Sequence, residues 1–107
     1  MTYRVLIVED AELDILDIYT YIAESESLEQ AESILNELET RIHSLAEFQE
    51  RGHVPPELQR VGIYEYREIH LHAWRILYRV QQSNVVVHCI LDGRRDLQEI
   101  LERRLLR

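Results

Sequence analysis

Lysine is missing from the chain, so its 12 basic side chains are all arginine, the type whose planar fork grips a carboxylate or phosphate through two hydrogen bonds. Cysteine occurs once, as Cys89, which excludes an intrachain disulfide; its place in the apolar run from Val85 to Leu91 marks a buried thiol rather than a nucleophile. That usage suits a reducing, cytoplasmic setting. Glycine occurs three times, at 52, 62 and 93, too dispersed to cradle a phosphate, which sets aside kinase and dehydrogenase chemistry. Long hydrophobic runs are also lacking. The opening from Tyr3 to Val8 is cut short by Glu9 and Asp10, well below the roughly 20 residues of a membrane span, and no signal-peptide cleavage pattern follows.

Negative charge is in excess overall, at −8, but it is unevenly placed. Residues 1–50 carry 13 acidic side chains and two arginines, whereas residues 51–107 carry seven and ten. The acidic half reads as the solvated outer face of helices, and the arginine-rich half as a candidate working surface. An ordinary structural reading stands beside the second, in which several arginines pair with Glu65, Glu68, Asp92, Asp96 and Glu99.

A chain of 107 residues is expected to form one domain, residues 1–107, burying roughly two-thirds of its unfolded surface. Tyr3 to Val8 has strand character. Asp10 offers an N-cap, after which Ala11, Ile15, Ile18 and Ile22 recur at helical spacing to about Ser25. Ser27 followed by Gln30 is a capping-box pattern and opens a second helix through Leu28, Ala31, Leu35, Leu38, Ile42 and Leu45. The short break between them predicts an antiparallel helical hairpin. Gly52 and Pro55-Pro56 end this region. Strands are predicted at about Ile63 to Leu71, Trp74 to Val80 and Val85 to Leu91, with hairpin links at His72-Ala73 and from Gln81 to Asn84. Helical spacing returns from Leu97 to Leu106. The sum is an α+β fold: a strand, a helical hairpin, three antiparallel strands extending a curved sheet, and a C-terminal helix. The hairpin is expected to cover one sheet face and leave the other open.

Alternation from Trp74 places Trp74, Ile76, Tyr78 and Val80 on the hairpin side, so Arg75 and Arg79 are predicted to face outward, with Arg67 joining them if the register allows. Arg94 and Arg95 project from the turn made by Gly93, and Asp96 is expected to cap the terminal helix. Trp74 and Tyr78 read as core, and His88 as a packed strand residue. His70 and His72 share a strand face by spacing, but no third or fourth ligand is readable nearby, so no metal is expected. His43 and His53 carry no readable role.

The Pro56-Glu57-Leu58 segment, Tyr66-Arg67, the run Arg75-Ile76-Leu77-Tyr78-Arg79-Val80 and the closing Gly93-Arg94-Arg95-Asp96 together resemble the RelE/ParE superfamily of toxins from bacterial toxin–antitoxin modules. The helical positions Ala11, Ile18, Tyr21 and Ile22 fit as well, so the likeness covers nearly the whole chain. It implies a toxin held inactive by a ParD-like or RelB-like antitoxin. It also implies one of two activities: RelE-like members cut messenger RNA on the ribosome, whereas ParE-like members inhibit DNA gyrase.

Cleavage through a ribose 2′-hydroxyl needs a base, an acid and cations that stabilise the charged phosphorane. Under that alternative the catalytic candidates are Arg67, Arg75, Tyr78 and Arg94, with Glu68, His70 or His88 as further sources of a base or acid, since an arginine stays protonated. The lysine-rich active surface common in the RelE-like branch has no counterpart here, the terminal segment resembles the ParE-like branch, and a charge of −8 opposes entry into ribosomal RNA. These points favour a gyrase inhibitor that acts by binding and uses no cofactor; a ribosome-dependent endoribonuclease and a toxin-like scaffold with lost activity are the alternatives. Arg75, Arg79, Arg94 and Arg95 are the expected target-binding residues. Leu101, Leu105 and Leu106 are the expected antitoxin contacts, although packing against the sheet would account for them equally.

Overall fold

The computed structural model describes residues 2–93 and 97–104, except the side chain of Leu101. In chain order the elements are β1 (Arg4–Ile7), α1 (Glu9–Ser25), α2 (Leu28–His43), a 3-10 turn (Ser44–Ala46), α3 (Pro56–Gln59), β2 (Tyr66–Leu71), β3 (Trp74–Gln81), β4 (Asn84–Asp92) and α4 (Leu97–Arg104). Helix α1 starts at Glu9, so Asp10 lies inside its first turn and is not the cap; Val8 holds that position without a side-chain bond. Glu9, Asp10 and Glu12 nevertheless place negative charge where the helix dipole favours it. The Ser27 hydroxyl does cap α2, accepting the Gln30 N–H at 3.0 Å. Helix α3 went unread in the sequence, although Pro56 at its first position is a favoured start, because proline has no N–H to leave unpaired there.

The sheet order is β1-β4-β3-β2. Strands β2, β3 and β4 form the antiparallel meander, while β1 joins β4 in parallel, so the sheet is mixed rather than wholly antiparallel. Strand β2 is shorter than expected and begins at Tyr66, after a turn in which Gly62 takes a φ of +79°. The tight links centre on His72 and Gln82, with φ values of 53° and 56°.

Hairpin α1–α2 packs on one sheet face, where Ile22, Ala31, Leu38 and Ile42 meet Ile69, Ile76, Tyr78 and Val87. The other face is not open. Leu58 of α3 and Leu97 and Ile100 of α4 cover it, enclosing Tyr66, Leu77, Cys89 and Leu91 in a second apolar cluster. Burial there pushes the Cys89 thiol up to about 12, which fits an inert packing residue. A β-bulge makes both cores possible. Leu77 pairs with Cys89 but Tyr78 pairs with Val87, leaving His88 as an extra residue on β4. Before it, Val85 and Val87 face the hairpin; after it, Ile90 does, while Cys89 and Leu91 face α4.

The segment between the 3-10 turn and α3 wraps the free edge of β2. His53 donates its N–H to the Glu68 carbonyl at 3.1 Å and accepts the Glu68 N–H at 2.8 Å. The Gly52 N–H donates to the Tyr78 hydroxyl at 3.0 Å. Glycine is required there by space: a Cβ would sit 2.5 Å from the Glu68 carbonyl oxygen and 2.7 Å from the Tyr78 hydroxyl. Among the described residues no helix is long and apolar enough to cross a membrane. Gly52→Ala should therefore push the segment off the sheet edge and lower stability by about 1–3 kcal/mol, read as a reduced urea midpoint with far-UV circular dichroism retained.

Candidate functional site

The register places three rows across the face covered by α3 and α4: His70, Arg75 and Leu91; Glu68, Leu77 and Cys89; Tyr66, Arg79 and Val86. Arg75 does lie on the side away from the hairpin, but it is not outward and available. It is 8% exposed. Its NH1 and NH2 donate to the two Glu57 oxygens at 2.7 and 2.9 Å, its NH2 donates to Glu68 Oε2 at 2.9 Å, and its Nε donates to Glu68 Oε1. Four of the five N–H groups that a guanidinium offers are committed in this way. Glu57 above all, with Glu68 beside it, holds the Arg75 proton tightly against the opposing cost of burial. In return the Arg75 hydrogen bonds keep Glu57 below its ordinary value of 4.5.

Arg67 and Tyr78 are Cα partners on the hairpin face, so the strands separate them from Arg75. Both anchor the edge segment. The Tyr78 hydroxyl donates to the Gln49 carbonyl at 2.8 Å, and Arg67 donates to the Gly52 carbonyl at 2.6 Å. Burial raises the Tyr78 pKa, so the phenol stays protonated at neutral pH. The predicted catalytic set, of which Arg67, Arg75 and Tyr78 are described, is thus not assembled. Arg94, its fourth member, lies outside the described residues, as do Arg95, Asp96, Leu105, Leu106 and the side chain of Leu101.

Arg79 is half-buried with its guanidinium carbon 5.8 Å from the centre of the Tyr66 ring, in cation–π range. His88 meets the same ring edge-on at 5.5 Å. Burial first, then Arg79 and Arg104, lowers the His88 pKa, which keeps the imidazole neutral.

A groove of about 770 Å³ runs between α1, the β3–β4 end of the sheet and α4. Leu13, Ile18, Tyr21 and Trp74 give it apolar walls, with Asp10 and Asp17 on the α1 side and Arg103 and Arg104 on the α4 side. Leu13 and Tyr21 are 50% and 70% exposed. Its floor is locked by two residues that sequence reasoning missed. Strand β1 ends opposite Val87, and beyond that point Asp14 accepts the Ile90 N–H at 2.9 Å while Arg104 donates to the His88 carbonyl at 2.9 Å. Arg104 NH2 and Asp14 Oδ2 close the link at 3.0 Å. Asp14 stands off the apolar stripe of its helix and had no readable distinction from a solvated acid. Glu57 and His53 were equally silent, since their partners lie 18 and 15 residues away.

Arg75→Ala would strand two carboxylates against the sheet and should cost on the order of 3–5 kcal/mol at neutral pH. Glu57 has a depressed pKa, so its stabilisation is fully present above 4.5 and is lost as the pH falls through its lower folded value. The gap between wild type and Arg75→Ala should accordingly be widest at neutral pH and narrow below 4.5, measured by urea unfolding across that range.

Comparison with known proteins is consistent from three directions. Residues 5–97 match the family model described as ParE toxin of type II toxin-antitoxin system, parDE. Toxin ParE3 of Caulobacter vibrioides is 31% identical over 84 residues, covering 78% of this chain and 80% of that protein. The chromosomal ParDE system of P. aeruginosa contains a chain that superposes with a TM-score of 0.70 at 15% identity, over 83% of this chain and 94% of that one. The RelBE2 toxin–antitoxin complex of Mycobacterium tuberculosis contains one that superposes with a TM-score of 0.64 at 16% identity, over 86% and 92%. At those identities the two structures speak for the fold.

Proposed function

The chain belongs to the ParE toxin family of type II toxin–antitoxin systems, within the RelE/ParE superfamily, and from that membership we propose that it acts in the cytoplasm by binding DNA gyrase and is silenced by a cognate antitoxin. The observation that carries binding over cleavage is the commitment of Arg75 and Tyr78 to the scaffold. A nuclease built on this sheet needs a cation free to meet a phosphorane and a group able to exchange a proton with the ribose hydroxyl. Arg75 has given four N–H groups to carboxylates, and the Tyr78 hydroxyl is buried between a carbonyl and an amide. Target contact then falls to Arg79 and to the Arg94-Arg95 pair. Inhibition by contact requires no proton transfer, only a surface that fits.

The purified toxin, freed of its antitoxin, should inhibit gyrase supercoiling and trap cleaved DNA. The Arg94→Ala, Arg95→Ala double variant should weaken that inhibition by about tenfold or more with unchanged thermal stability. A folded protein inert towards gyrase but able to cut messenger RNA on programmed ribosomes would reverse the assignment.

The groove beside α1 is the surface we assign to the antitoxin. A partner segment with apolar anchors matches its walls, with basic residues towards Asp17 and acidic ones towards Arg103, and an amphipathic helix supplies such anchors at i, i+3 and i+4 spacing. Leu101, Leu105 and Leu106 are proposed as further antitoxin contacts. Leu13→Arg, at a half-exposed position on the groove wall, should reduce antitoxin affinity by about tenfold or more while leaving the urea midpoint unchanged, as measured by calorimetric titration.

A further inference from the structure

The side chains of His53, Glu68 and His70 converge at the free edge of β2. His53 Nε2 lies 3.1 Å from Glu68 Oε2, and His70 Nε2 lies 3.4 Å from Glu68 Oε1. The two imidazoles stack with centroids 5.6 Å apart and planes at 27°. All three candidate ligand atoms fall within 4.8 Å of one another. We propose that His53, Glu68 and His70 bind a divalent transition-metal cation of the zinc type, which staples the edge segment to the sheet.

The donor set is the first reason. Two imidazole nitrogens and one carboxylate suit zinc, with water free to complete the shell. Geometry is the second: one ligand atom from each residue lies within 4.8 Å of the others, against about 3.4 Å between neighbouring ligands of tetrahedral zinc held near 2.1 Å, a gap that rotation of the two exposed imidazoles can close. A third reason is how firmly the carboxylate is held. Glu68 is 1% exposed, and Arg75 fixes both its oxygens through Nε and NH2, the kind of outer support that orients metal ligands. The paired backbone bonds between His53 and Glu68 set the position of the first histidine, and strand alternation sets the second.

Charge and access complete the case. Glu57 and Glu68 against Arg75 leave one net negative charge, which a dication would offset. The His53 and His70 side chains are 60% and 54% exposed, giving an ion a path from solvent. Each imidazole would coordinate through Nε2 while keeping its proton on Nδ1, so neutral histidines suffice. His72 is not part of the cluster: its Nε2 lies 2.6 Å from Glu37 Oε2 on the far side of the turn.

The test uses the full chain without an affinity tag, stripped by chelator, and titrated with zinc sulfate by calorimetry and thermal unfolding. One ion per chain should bind and raise the melting temperature. His53→Ala and His70→Ala should each weaken binding by about 10–100-fold, and His72→Ala should leave it unchanged. With cobalt in place of zinc, visible d–d bands should be seen for wild type and His72→Ala and be lost in His70→Ala. Absence of saturable binding at micromolar zinc overturns the proposal. So does binding that survives both His53→Ala and His70→Ala, which would place the ion at other histidines. Should His53→Ala fail to fold, His70→Ala and the cobalt spectrum decide alone.

Discussion

One guanidinium joins the separate parts of this sheet. Arg75 on β3 reaches across to Glu68 on β2 and out to Glu57 on α3, so a four-residue helix with little apolar surface of its own is held against the strands by charge. Such clusters are not stabilising simply because they are ionic, since desolvation opposes the attraction. What the geometry secures is uniqueness: a planar fork accepts two carboxylates in one arrangement, and that arrangement fixes where α3 begins and which face of β2 is inward. The second apolar core forms under that constraint, with Leu58 delivered to Leu77 and Cys89.

The same interaction divides the arginines of the second half by duty. Arg75, Arg67 and Arg104 hold carboxylates or carbonyls within the fold, each tying together segments distant in sequence. Arg79 rests on an aromatic ring instead and keeps a partly open position. A chain without lysine loses nothing by this, because the structural positions call for planar, several-pronged donors rather than point charges. The proposed action by contact rests on this allocation of cations between fold and surface.

The strands and all the helices but α3 were legible because their signals are local. Ser27 and Gln30 announce a helix start, and the 3.6-residue stripe through Ala31, Leu38 and Ile42 announces its buried face. Alternation along β3 also gave the sides of Arg75 and Tyr78 correctly. Exposure could not be read the same way, since it depends on what arrives from elsewhere: α3 and α4 covered a face expected to be open. The bulge at His88 was hidden for a related reason, because an extra residue is defined only by the partner strand. Glu57, Asp14 and His53 earn their places through contacts many residues away, and nothing in their immediate neighbours distinguishes them from ordinary surface groups.

That single extra residue in β4 has a consequence for how the chain can vary in length. It acts as a change of reading frame within one strand: residues before it are written for the hairpin core in one phase, and residues after it in the other. Were His88 drawn into regular alternation, Ile90 would turn towards α4 and Cys89 and Leu91 towards the hairpin, exchanging the vocabularies of the two cores; loss of His88 would instead leave every later residue on its present face. Both cores therefore depend on where β4 breaks its alternation rather than on the number of residues it contains.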